Sequence, residues 1–595
     1  MKNFLTTLLA IFVAFLLVSV VLSGVVFFAL SKDSKPKVEK GSVLILNLNK
    51  PISDRELTVS PQELAQNIVL GDGVSSSYTL LELIHVIKHA ANDDKISGMF
   101  LTGGVPTGGT FFSGSATLRE VREALEYFKE AGKPIYAYNE SYNMRSYYLA
   151  SVADSIFMHP FGRMNITGFS SSRTFYKEAM DKFGVKFYVS RVGSFKSALE
   201  PYFRSEISRE DREQRLRLME HHYGQFASHV SESREISIDR LHELSASPRI
   251  LRDPYAVRDE RLIDRVTYYD EVLASLREFT NVKDASKPFT QVNYDTYMKY
   301  VGNSIYPKGK QNVAFVVAEG GIVGGSGTSG VAGDYTARIL RGIRNDDAIK
   351  AVVVRVNSPG GGVNPSEVIL REMRLLAETK PVVVSMGNVA ASGGYWISGF
   401  ADYIMANPTT VTGSIGVYTA FPVFDEIAGE YGITFDSIKS HPYADIMTSD
   451  RSPTAEEWEL IHSSTLGIYD NFLDRVAEGR ELDKDFVHEI AQGRVWSGND
   501  ALEFGLVDGL GGTLDAIKKA AELAELDAWA IKRYERSDDF RTRILRNFGV
   551  SKTNSVDSSQ QSGLGSELVR FFQIINQFND PSGTYARLPL DFMVE

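Results

Sequence analysis

"RNDDAIKAVVVRVNSPGG", residues 344–361, has an earlier counterpart in "ANDDKISGMFLTGG", residues 91–104. The likeness continues in order: "GKPIYAY" answers "TKPVVVSM", "ADSIFMHP" (153–160) answers "ADYIMANP" (401–408), and "FGVKF" answers "YGITF". Ordered matches at a nearly constant separation of about 250 residues are the signature of an internal repeat. Each copy alternates short apolar runs with amphipathic stretches: VLILNLN leads to LLELIHVIKHA in the first, and VAFVVA to ARILRGIR and AVVVRV in the second. That alternation predicts an α/β fold with buried, mainly parallel strands. Both copies then carry a longer helical stretch, REDREQRLRLMEHHYGQFASHVSESR and TAEEWELIHSSTLGIYDNFLDRVAEG.

The 595 residues, 43% hydrophobic and 23% charged, are enough for several folded domains. A net charge of -11 without long Lys/Arg runs excludes a nucleic-acid binder, whose phosphates are met by clustered cations. The absence of cysteine excludes disulfides and thiolate chemistry, so any nucleophile is a hydroxyl, an amine or a carboxylate. Phe4 to Leu30 is an uncharged apolar run of 27 residues, longer than the ~20 that span a bilayer. It predicts a transmembrane anchor over 1–31, followed by a linker at 32–40, the first repeat at 41–300 and the second at 311–545. A Ser/Gln-rich linker, SKTNSVDSSQQS, and an amphipathic stretch, ELVRFFQIINQF, make up the C-terminal segment 551–595. Lys2 precedes the span and Lys32, Lys35, Lys37 and Lys40 follow it, which by charge alone favours a cytoplasmic body.

Comparison of the two copies separates what each retains. "NVAASGGYWIS" (388–398) sets Ser392 in a turn of Ala and Gly after the apolar run VVVSM. Such a turn allows close approach of backbone or ligand, with a free N–H just behind the serine; the alternative is a tight turn with a capping serine. Aligned on ADSIFMHP and ADYIMANP, the first copy has Met144, Arg145 and Ser146 opposite Ser392, Gly393 and Gly394. Aligned on Gly184 and Gly432, the second has Ala444 opposite Lys196 of "RVGSFKSALEP". One copy keeps a hydroxyl and the other a lysine, which suggests complementary parts of one site; a surface role for Lys196 is the alternative.

Together, "RVGSFKSALEP", "RVNSPGGG", "NVAASGGYW" and "TGSIGV" behind an apolar span resemble the long, tandem-repeat form of signal peptide peptidase A, or protease IV. The resemblance covers residues 1 to 590. It implies a tandem repeat of a Clp protease/crotonase-like α/β unit behind an N-terminal transmembrane helix. Shorter members carry serine and lysine in one unit, with the lysine in the segment that reads HPYAD here, so Ala444 fits the long form. The implied activity is that of a serine endopeptidase with a Ser-Lys dyad, acting on signal peptide remnants and other apolar peptides. The resemblance also implies a single-pass protein of the bacterial inner membrane, its body on the periplasmic side, and a ring-like homo-oligomer, a tetramer. No cofactor or metal is expected.

Within that reading Ser392 is the nucleophile and Lys196 the general base. No histidine lies between Ser392 and His441, where a Clp-like arrangement would supply one. A lysine serves if it is neutral, which takes its pKa from ~10.4 toward ~7–8. Around Lys196, Gly193, Ser194, Ser197 and Ala198 bring no carboxylate before Glu200. Gly393 follows the nucleophile and supplies one oxyanion donor; by resemblance Gly361 completes the hole and Ser414 orients the lysine. Ser358 and Gly360 to Gly362 are also readable as a type II turn, and Ser414 as a satisfied buried hydroxyl. Lys439 is a rival base in the same unit as Ser392.

Other signals are weaker. Gly325, Gly327 and Gly330 form G-x-G-x-x-G, but the next strand ends in Asn357 instead of an acid for a ribose, which argues for a loop beside the substrate groove. His221 and His222 lack HExxH spacing, "HELSA" lacks its second His, and His85 and His89 have no neighbouring ligands. Two other classes compete with a peptidase: a crotonase-like acyl-CoA enzyme, and a non-catalytic membrane scaffold.

Overall fold

A computed structural model describes residues 36–55, 77–106, 113–305, 309–327, 330–534 and 584–588. The apolar span Phe4–Leu30 and the stretch ELVRFFQIINQF lie outside these residues; among those described, no helix is long and apolar enough to cross a membrane.

The two copies build two sheets with the same strand order. In the first, Arg265–Val266, Ser155–Met158, Ile135–Asn139, Ile96–Thr102, Ser42–Asn47 and Gln291–Asn293 lie side by side and all parallel. In the second, Gly509–Leu510, Tyr403–Ala406, Val382–Ala391, Ala351–Ser358, Gln311–Glu319 and Ala530–Tyr534 repeat that sequence, again parallel. The apolar runs become strands because both faces are covered: Val382–Ala391 is buried at all ten positions and Ala351–Ser358 at all eight. Helix Leu80–Asn92 covers one face through Leu80, Leu83, Ile84, Ile87 and Ala91, the spacing of one helical side. The long helices Arg209–Arg234 and Ala455–Arg480 are each 26 residues. Each opens on a hydroxyl cap, Ser208 or Thr454, and closes on a left-handed glutamate, Glu235 or Glu481.

A third sheet joins the copies. Its order is Val331–Ala332, Ile322–Val323, Gly360–Gly362, Thr584–Arg587, Val417–Val423 and Lys186–Val192. The last two strands come from different repeats and pair antiparallel over seven residues, from Val417 against Val192 to Val423 against Lys186. That pairing carries the chain into the "GSFKSALEP" turn at the second repeat's edge.

The seam behind this sheet is charged. Arg355, fully buried on strand Ala351–Ser358, reaches across to Asp54 at 2.9 Å and Glu120 at 2.8 Å, both of the first repeat. Asn357, two residues on, donates to Asp54 at 3.0 Å and accepts from the Val389 N–H at 3.2 Å. The same network therefore braces the strand ends beside which Ser358–Gly361 and Ser392 lie. Removing one partner leaves the others charged and dry, which costs about 3–5 kcal/mol. Arg355→Ala is expected to lower the free energy of unfolding by an amount in that range, read from urea titration followed by tryptophan fluorescence.

Candidate active site

Ser392 stands where the buried strand Val382–Ala391 turns into the short helix Gly393–Trp396. Its backbone is left-handed, φ 56° and ψ -116°, a conformation that costs a non-glycine residue of order 1–3 kcal/mol. Hydrogen bonds from the Ser392 N–H to Gly413 and from Trp396 to the Ser392 carbonyl, both 2.8 Å, hold it there. The side chain makes no capping bond, so the capping reading fails. The small neighbours are required by contact. A Cβ on Gly394 would lie 2.5 Å from the Ser358 carbonyl oxygen, one on Gly393 2.8 Å from Ser366 Oγ, and one on Gly361 1.9 Å from the Ile322 carbonyl oxygen. The Ser392 turn and the Ser-Pro-Gly-Gly turn are thus packed backbone to backbone.

Lys196 crosses the seam to meet this serine. Its Nζ lies 2.7 Å from Ser392 Oγ, 2.9 Å from the Ser414 carbonyl oxygen and 3.0 Å from Ser414 Oγ. The lysine is 3% exposed and Ser392 not at all. Burial alone holds the amine well below the ordinary lysine range. The nearest acids are engaged elsewhere: Glu200 lies 3.9 Å from Arg191 and accepts from the Ser208 N–H, while Asp211 takes Arg173 and Arg215 at 2.9 Å and the Ser197 hydroxyl at 2.7 Å. These bonds brace the lysine loop without giving the amine a counter-ion. Lys439, the rival base, stays on the surface, paired with Asp445 at 2.6 Å.

Sequence reasoning missed the platform under Lys196. The Phe195 N–H donates to the Gln492 carbonyl, and the Gly493 N–H to Ile415. Gly493 has φ 73°, and a Cβ there would lie 2.6 Å from Lys196 Cβ. Gly193, with φ 107°, is as close to Gln492. Two glycines on different repeats, back to back, let the loops touch; in the sequence "QGR" is too short a cue to find.

Also missed was the segment Thr584–Leu588. It runs antiparallel to Gly360–Gly362 on one side and to Tyr418–Thr419 on the other, filling a gap one strand wide. Tyr585 stacks on Tyr418 at 5.9 Å, and Leu588 sits among Leu218, Val389, Ala391, Val411 and Val495. The glycine-rich motif, by contrast, joins the two short strands Ile322–Val323 and Val331–Ala332 at the edge of this sheet. His222 contacts Ser115, His221 contacts Ser497 across the seam, and His89 contacts Tyr297, which gives the histidines structural partners.

An α/β repeat with a lysine amine on a buried serine, beside a slot that takes an extended strand, has the form of a serine peptidase. The chain belongs to that class, in peptidase family S49: the family's sequence model matches residues 127–283 and again 374–527. Protease 4 of Haemophilus influenzae is 34% identical over 96% of this chain and 95% of its own. A putative signal peptide peptidase SppA of Enterococcus faecium is 38% identical over 35% of this chain and 61% of its own. A mutant ClpP1 from Listeria monocytogenes aligns with 34% of this chain and 94% of its own, at 15% identity and a TM-score of 0.24. The chain is a serine protease, and neither the acyl-CoA reading nor the scaffold reading is needed.

The buried amine has a cost that stability measurements can read. With its folded pKa depressed, Lys196 gives up a proton on folding, so the fold gains stability as pH rises from that lowered pKa toward ~10.4. Lys196→Met is therefore expected to raise the melting temperature at neutral pH. The advantage over wild type should shrink as pH approaches 10, followed by calorimetry across pH.

Proposed function

We propose that Ser392 is the nucleophile, Lys196 the general base, the N–H groups of Gly393 and Gly361 the oxyanion hole, and Ser414 the group that orients the lysine. The observation that carries this is the 2.7 Å approach of Lys196 Nζ to Ser392 Oγ in a dry seam. A neutral amine has two N–H bonds and one lone pair. Ser414 offers two acceptors, its carbonyl at 2.9 Å and its hydroxyl at 3.0 Å, which leaves the lone pair for the Ser392 proton. In the reaction Lys196 takes that proton as Oγ attacks the substrate carbonyl, and returns it to the leaving amine. Negative charge on the carbonyl oxygen meets donors that need no rearrangement. Water then repeats the cycle on the acyl-serine.

The substrates are short apolar peptides bound in extended form, signal peptide remnants among them. The one-strand gap between Gly360–Gly362 and Val417–Val423 supports this, since a peptide filling it gains main-chain hydrogen bonds on both edges. So do the apolar surfaces around Tyr418 and Val389, and the name of the Enterococcus relative. Phe4–Leu30 anchors the body to the bacterial inner membrane from the periplasmic side, where such peptides are left.

Copies of the chain close into a ring, a tetramer. Lys186–Val192 docks on Val417–Val423 within one chain; its second-repeat counterpart, 434–440, makes no strand. That counterpart and its flank expose Tyr431, Ile433, Phe435 and Ile438, while the first-repeat equivalent of the docking strand, 169–175, forms no strand either. A head-to-tail contact between copies would satisfy both.

Hydrolysis of an apolar peptide ester is expected to fall by about a hundred- to ten-thousand-fold in Lys196→Ala, more in Ser392→Ala, and to persist in Lys439→Ala. In wild type, kcat/KM should fall on acidification, as pH drops through the lowered lysine pKa and the base is protonated. Activity in Lys196→Ala near the wild-type level would end the dyad reading. Light scattering should report a smaller assembly for Ile438→Asp.

A further inference from the structure

Four consecutive carbonyls of the lysine loop, Phe195 to Ala198, are each taken by a side chain behind the loop. Gln214 Nε2 donates to the Phe195 carbonyl and the Arg191 guanidinium to the Lys196 carbonyl, both at 3.1 Å. Arg173 donates to the next two, Ser197 at 3.0 Å and Ala198 at 2.9 Å. Among the described residues the Lys196 amine bonds only to Ser392 and Ser414, so no oxygen of its own loop reaches it.

Most of these donors converge on one carboxylate. Asp211 Oδ2 accepts from Arg173 and from Arg215, both at 2.9 Å, while Oδ1 accepts from the Ser197 hydroxyl at 2.7 Å and from Gln214 at 3.0 Å. Asp211, Gln214 and Arg215 are spaced by one turn on helix Arg209–Arg234 and share a face. Asp211 is wholly buried, and the Arg173 side chain nearly so. Burial opposes the Asp211 charge, but the Arg215 and Arg173 guanidiniums and the Ser197 hydroxyl outweigh it and hold the carboxyl below the ordinary aspartate range. Gln214 also accepts from the Val495 N–H at 3.2 Å, which ties this hub to the strand after the Gln492–Arg494 platform. The other charged groups packed on the loop are paired: Glu200 lies 4.0 Å from Arg173 and 3.9 Å from Arg191, and Arg494, over the Phe195 ring, holds Glu213 at 2.7 Å.

We propose that Asp211 is a positioning residue for the base: by gathering Arg173, Arg215, Gln214 and Ser197 on one carboxylate, it keeps the loop carbonyls turned away from the Lys196 amine. The proposal rests on the roles assigned to Ser392 and Lys196. Asp211 bonds to neither Ser392 nor the amine and acts through the loop. A carbonyl free to swing onto the amine would favour the ammonium, because a hydrogen bond to the charged form of a group stabilises that form. The charge of Asp211 and its geometry therefore act on the base in opposite senses. Loss of a nearby negative charge, by itself, makes an amine easier to keep neutral. Loss of the brace admits the carbonyls and makes it harder.

The test is the pH profile of kcat/KM for an apolar peptide ester, on the full chain in detergent, beside the rate of Ser392 labelling by a fluorophosphonate. Melting curves confirm that each variant is folded at the assay temperature. In Asp211→Asn, which keeps the shape and removes the charge, the acid limb of both profiles should move up by about one pH unit, so activity on the limb falls about tenfold at fixed pH. Activity should recover above the shifted limb. Arg173→Lys keeps the charge but cannot hold Asp211 and two carbonyls together, and its limb should move up as well. If Asp211→Asn does not fold, Ser197→Ala carries the test, with a smaller shift in the same direction. A limb that stays in place while the plateau drops would make Asp211 merely structural, and a limb that moves down would make it merely a charge; either overturns the proposal and leaves the dyad intact. A folded wild type that neither hydrolyses the ester nor takes the label would overturn the assignment of Ser392 and Lys196 itself.

Discussion

Everything in this molecule depends on keeping one amine dry. A lysine that is to hold a lone pair toward Ser392 must be denied water and carboxylates together, and that demands a wall on every side. The strand pairing of Lys186–Val192 with Val417–Val423 supplies one wall, the Gln492–Arg494 loop a second and the Ser414 turn a third. Lys196 and its loop come from the first repeat, and Val417–Val423, the Gln492–Arg494 loop and the Ser414 turn that they meet come from the second. The dry pocket exists only because the repeats are packed together, so under the proposed dyad the seam is part of the chemistry.

That dependence explains the charged network behind the sheet. Arg355, Asp54 and Glu120 would be an extravagant way to hold two domains together if adhesion were the only need, since apolar residues of similar size often do as well. Ion pairs with fixed geometry set register as well as contact. Asn357 ties this network to Val389, three residues before Ser392 and one before Ser358 in its own strand. A slip of the seam would therefore move the lysine and the two glycine turns relative to each other.

Much of this was legible in the sequence, for definite reasons. The repeat was visible because buried parallel strands must be continuous apolar runs, and those runs recur in order. Ser392 and Lys196 stood out because each copy had lost what the other kept, and the glycines around Ser392 stood out because backbone packs on backbone there. The platform at Gly493 was not legible, since its role depends on a loop nearly 300 positions away in the chain. Nor was Thr584–Leu588: five residues of mixed character after a long polar stretch carry no periodicity, and only the gap that they fill gives them meaning. Lys439 was a fair rival on composition and was excluded only by its place on the surface beside Asp445.

The gap itself sets a rule of selection that no side chain writes. A strand lying between Gly360–Gly362 and Val417–Val423 is paired along both edges. The outermost strand of a folded sheet has only one edge to give, and a helix has neither, because its own turns already use those groups. A peptide bound there in the proposed way would be selected on its backbone before its sequence, since only chain whose amides are unspoken for on both sides can pair with both edges. Folded chains would be spared by their own hydrogen bonds.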